Sequence, residues 1–137
     1  MELDYVAILV ATAVQFVVGA LWYMGPFGQT WGKIHGFDKV SKEVQQQMIK
    51  QMPPYYLGQL IVTALTSVVF AVVLQQAPEW NPFVVAATLW AGFVVPTQFG
   101  AVIFGGTEGK WVVTKLAIMA GGSLACLLAA AAVFTLL

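Results

Sequence analysis

Four apolar stretches, at about 5–24, 55–75, 83–104 and 111–137, are each long enough to cross a bilayer as a helix. No other property of the chain narrows its fold as much. A hydrocarbon core about 30 Å thick needs roughly 20 apolar residues per helix, whereas a membrane β-barrel is written in alternating strands of about 10. Here the apolar residues run on without alternation, which predicts helices. The balance of residue types agrees: 60% of the 137 residues are hydrophobic and 9% are charged, against roughly 25% charged in soluble domains. The expected fold is an all-α membrane protein, one domain over 1–137, with four transmembrane helices in an up-down bundle. Met1 to Tyr5 carries no basic residue, so the first span reads as a transmembrane helix rather than a secretory signal.

The first span closes on Trp22-Tyr23, then Gly25-Pro26, Phe27-Gly28 and Trp31, with the first lysine, Lys33, two residues on. Aromatic rings, helix breakers and then positive charge mark a helix leaving hydrocarbon. Beyond this turn, Val40, Val44, Met48 and Met52 share a helical row, while Lys42, Gln45, Gln46 and Lys50 lie mostly off it. With Ser41 as N-cap and Pro53-Pro54 as terminator, this predicts a short amphipathic helix over about 41–52. Such a helix lies either in the headgroup layer, lysines toward water and anionic lipid, or folded over the bundle as a plain connection.

All six cationic side chains are lysines: Lys33, Lys39, Lys42, Lys50, Lys110 and Lys115. They fall in or beside the first and third connections, and none is in the second connection or at the termini. The positive-inside rule therefore puts those two connections in the cytoplasm and both termini on the non-cytoplasmic side.

Trp22-Tyr23-x-x-x-Phe27-Gly28-x-x-Trp31, followed by Lys33 and Gly36, resembles the signature of a family of small four-helix membrane proteins catalogued as a domain of unknown function. Trp90-x-Gly92-Phe93 and Gly121-Gly122 fit the same layout, and the similarity covers nearly the whole chain. The resemblance implies the bundle. It brings no activity, substrate or catalytic residue.

Polar side chains inside the spans are the candidate functional residues. Gln15 sits in an otherwise small row with Ala7, Ala11 and Gly19, a pattern suited to close helix packing. Gln59, Thr63 and Ser67 form one i, i+4 row on the second span, the most polar intramembrane face in the chain. In the third span Pro96 withholds a backbone hydrogen bond and predicts a helix kinked or loosened near its middle, with Thr97 and Gln98 placed to satisfy freed carbonyls. Together with Trp90, these residues form a candidate polar path. Gly121, Ala125 and Ala129, flanked by Gly122, Cys126 and Ala130, give the last span a very small face for packing within one chain or between chains.

No ionisable residue lies deep in a span, which disfavours a carrier built on a buried carboxylate. One histidine, His35, with Asp38 nearby, falls short of the three or four ligands of a metal site. Cys126 has no partner for a disulfide and no cationic neighbour to activate it. Neither enzymatic activity, a cofactor nor a metal is expected. Without arginine or a basic stripe, nucleic acid is not an expected partner; the partners left are the lipid bilayer and a homo-oligomer or larger membrane complex. Two readings remain: a non-enzymatic accessory, scaffold or lipid-interacting bundle, and a small oligomeric transporter or channel with a path near Pro96. They differ in whether the polar row of the second span faces a wet cavity shared with Pro96 or is paired in a dry core.

Overall fold

A computed structural model describes residues 2–137. Helix α1 runs Tyr5–Met24, its first turn closed by Asp4, whose carboxylate accepts the Ala7 N–H at 3.0 Å. A short helix, α2 (Gly28–Ile34), and a single 3-10 turn at Phe37–Lys39 follow. Helix α3 (Lys42–Lys50) is capped by Ser41, whose hydroxyl accepts the Val44 N–H. Helix α4 (Pro53–Gln76) opens on two prolines, which suit a first turn because its N–H groups lack intrahelical partners.

Asn81 caps the third long helix, with Pro82 at its first position. This helix has three parts: α5 (Pro82–Leu89), a π turn (Trp90–Val94) and α6 (Val95–Phe104). The expected disturbance at Pro96 thus takes the form of a wider turn placed just before the proline. Helix α7 (Val112–Leu136) completes the chain. Four helical stretches are long and apolar enough to cross a membrane: Tyr5–Met24, Pro53–Gln76, Pro82–Phe104 and Gly109–Leu136.

Helix α1 packs on α7 and on α4, and α7 also carries α5 and α6, so the principal contacts run α4–α1–α7–α5/α6. All four long helices meet in one apolar cluster of Ala11, Phe70, Val85, Ala86, Leu127, Ala130, Ala131 and Val133. Phe70 stacks edge-on against Phe134 with ring centroids 5.8 Å apart. Half of the cluster is alanine, a residue small enough to let helix backbones approach closely. The first half of α4, by contrast, is exposed on every face from Pro53 to Val62.

Candidate functional site

The polar residues of the spans separate into two groups on different helix pairs. Between α1 and α4, Thr12, Gln15, Thr63 and Ser67 are buried. Ser67 is at the centre. Its hydroxyl accepts from Gln15 Nε2 at 2.8 Å and donates to the Thr63 carbonyl at 3.1 Å. Thr12 Oγ1 stands 3.0 Å from Ser67 Oγ and donates to the Ile8 carbonyl at 2.7 Å. Thr63 likewise back-bonds to the Gln59 carbonyl at 2.7 Å, the usual refuge of a helical hydroxyl. Gln59 itself is exposed, and its amide turns along its own helix to Thr63 Oγ1 at 3.3 Å.

The second group joins α6 to α7. Gln98 Nε2 donates to Ser123 Oγ at 2.5 Å and to the Met119 carbonyl at 3.3 Å. Gln98 therefore ties two helices together, and the carbonyls freed near Pro96 receive nothing from it. Gln98 Oε1 is buried without a partner. Thr97 donates to the Phe93 carbonyl at 2.6 Å. Trp90 Nε1 donates to the Ala120 carbonyl at 2.8 Å, next to the Met119 carbonyl that Gln98 bonds. No direct bond links these residues to Gln15, Thr63 or Ser67. A test of the α6–α7 bond is Gln98→Leu, which removes two donors and one orphaned acceptor together. Thermal unfolding in detergent is expected to show a change of at most about 1 kcal/mol, because intramembrane hydrogen bonds average well under that.

The signature residues Trp22, Tyr23, Phe27, Gly28 and Trp31 come together where α1 meets α2 and α7. Trp22 Nε1 donates to the Ile118 carbonyl at 3.0 Å. Its indole lies over Gly121 and Gly122, where an added Cβ would stand 2.8 Å from Cζ2 and 3.0 Å from Cδ1. Gly121-Gly122 is thus a slot for one side chain rather than a contact for another helix backbone. Rings continue outward from it: Trp22 to Phe27 at 4.7 Å, Tyr23 to Trp31 at 4.8 Å and Trp31 to His35 at 4.5 Å. Lys115 Nζ stands 5.8 Å from the Trp31 ring, a cation–π distance. Sequence reasoning took Trp22 for an interfacial anchor. Its partnership with Gly121-Gly122 spans about 100 residues, and the signal was the pair of adjacent glycines inside an apolar helix, where each costs about 1 kcal/mol relative to alanine.

Beside this cluster is a cleft of about 830 Å³ whose lining includes Tyr23, Gln29, Lys33, Asp38 and Gln45. His35 Nδ1 bonds the Trp31 carbonyl at 2.9 Å and is exposed. Among the described residues no three His, Cys, Asp or Glu side chains are grouped to hold a metal ion. Their one ion pair is Lys110–Glu108 at 3.5 Å, both exposed.

Comparison with curated proteins and with solved structures returns no match. A family model does match, over residues 6–135, and its description is "Protein of unknown function (DUF1761)". Nearly the whole chain lies within that match, signature and glycine slot included, so the chain belongs to the DUF1761 family of proteins of unknown function.

Proposed function

We propose that this chain is an integral membrane bundle of four up-down helices that acts through helix packing, as an accessory or scaffold component rather than as an enzyme or a solute path. The observation that carries this reading is the pairing of Gln15 with Ser67 in a buried contact between α1 and α4. A polar row that lined a wet path would turn its donors toward a cavity; here Thr12, Gln15, Thr63 and Ser67 spend them on one another and on backbone carbonyls. The lysines put the first and third connections in the cytoplasm, with both termini outside. Helix α3 then lies in the inner headgroup layer, where exposed Val44, Met48 and Ile49 meet acyl chains and Lys42 and Lys50 meet lipid phosphate. Lys33 and Asp38 in the neighbouring cleft match the opposite charges of a zwitterionic headgroup.

A second reading, passage of a small solute, draws on one observation: the unpartnered Gln98 Oε1, two residues from Pro96. Reconstitution into liposomes separates the two. The expected result is solute and ion flux no greater than in empty vesicles, with the chain recovered from native membranes in a complex after cross-linking. Flux above that background, abolished by Gln98→Leu in a protein that still folds, would overturn the accessory reading.

A further inference from the structure

Where the end of α1 meets α2, the turn at Phe37–Lys39 and α3, the chain leaves a cleft of about 830 Å³, a size common among small-ligand sites. One cation and one anion, Lys33 and Asp38, line it. Neither is neutralised by the chain, because the one ion pair among the described residues is Lys110–Glu108. Two opposite charges share a cleft without pairing. They leave a place for a ligand that carries both signs.

Each charge has polar neighbours of its own kind. Gln29 and Lys33 are one turn apart on α2, with the Thr30 hydroxyl adjacent, so amide, hydroxyl and ammonium donors gather on that helix. These are donors for a phosphate. The turn and α3 bring Asp38 and Gln45. Gln45 Nε2 is engaged by the Phe37 carbonyl at 2.9 Å and the Val40 carbonyl at 3.4 Å, which leaves its amide oxygen as an acceptor to join the Asp38 carboxylate.

Donors on one element and acceptors on the others fit a phosphate ester that also bears a primary ammonium, whose N–H groups need acceptors. A quaternary ammonium has no N–H and is held by aromatic cages. No cage is built here: Tyr23 packs edge-on against Trp31 at 4.8 Å, and Phe37 is the single other ring in the lining. A plain anion would meet Asp38 as well as Lys33.

The apolar end of the cleft points to the source of such an ester. Met24 is part of the lining and 81% exposed. Leu21 and Val17, about one and two turns back on the same face of α1, are exposed as well. This stripe runs from the cleft along a membrane-spanning helix, which suits acyl chains below a headgroup. We infer that the cleft is a site for an aminophospholipid, its phosphate at Lys33 and its ammonium at Asp38 and Gln45; the inference rests on the reading of the chain as a membrane bundle whose first connection lies at the headgroup layer.

Native mass spectrometry tests this on protein released from nanodiscs that hold equal amounts of phosphatidylethanolamine and phosphatidylcholine with the same acyl chains. Wild type is expected to retain phosphatidylethanolamine over phosphatidylcholine by about fivefold, as for a charge-assisted hydrogen bond in an open cleft. Asp38→Asn is expected to erase that preference, while Lys33→Gln weakens retention of both lipids alike. Both side chains are exposed, so the fold should tolerate either change. Stepwise N-methylation of the headgroup needs no variant and is expected to weaken binding to wild type at each step. Equal retention of the two lipids by wild type, a preference that survives Asp38→Asn, or displacement of the lipid by soluble glycerophosphoethanolamine at comparable concentration would each overturn the proposal. Lipid retained without headgroup preference would overturn it and leave the accessory reading standing, whereas solute flux in liposomes would overturn the accessory reading and leave the headgroup preference in place.

Discussion

Trp22→Ala is expected to lower stability by about 3 kcal/mol, at the lower end for large aromatic truncations because the ring is partly exposed. Two effects add. The indole leaves a hollow over Gly121 and Gly122, and the donor at 3.0 Å from the Ile118 carbonyl is lost. Trp22→Phe keeps most of the ring and loses the donor, so it should cost about 1 kcal/mol. Gly121→Val attacks the same contact from α7: a Cβ 2.8 Å from Cζ2 forces the indole out. Detergent-induced unfolding followed by circular dichroism checks all three. The double variant decides the mechanism, since in the Trp22→Ala background the valine has room and should cost little. Additive losses would mean that the glycines are needed for another reason.

Ser67→Leu is the second large effect, again about 3 kcal/mol. Ser67 is fully buried between α1 and α4, so the larger side chain must push the helices apart. The substitution also leaves Gln15 Nε2 without its acceptor in a dry contact. Ser67→Ala removes the hydroxyl without adding bulk and should cost about 1 kcal/mol. The same unfolding titration reads both. Near-equal losses for alanine and leucine would show that the α1–α4 contact has slack, and that polarity rather than packing holds it.

Much of the fold was legible because hydropathy alone decides where a helix can sit in a bilayer. Asp4, Ser41 and Asn81 accept from the first turns of their helices, and Pro53 and Pro82 open theirs, so local chemistry also marked the starts. The candidate site was less legible. Gln59, Thr63 and Ser67 share one row, yet Ser67 and Thr63 face α1 while Gln59 is exposed. Periodicity fixes which residues share a face but not how far along the helix a neighbour follows it, and α4 parts from the others over its first half. Pro96 announced a disturbance without its form; whether a helix bends or widens depends on the packing of Trp90 and Gln98 against α7. The Trp22 slot was hidden for a simpler reason. Its halves are far apart in sequence, and each alone has an ordinary explanation.

The closeness of α1 to α7 has a bearing on how the protein is made. Trp22 and the carbonyl it bonds are separated by 96 positions. At a synthesis rate of roughly 5–20 residues per second, α1 waits on the order of 5–20 s before α7 exists to receive it. During that interval Trp22 has no slot. The Gln15 amide is the exception, since α4 and its Ser67 arrive earlier. The nascent chain should therefore pass through a hairpin of α1 and α4 held by the buried bonds of Thr12 and Gln15 to Ser67, with the signature tryptophan still free to be shielded by the insertion machinery until the last helix closes on it.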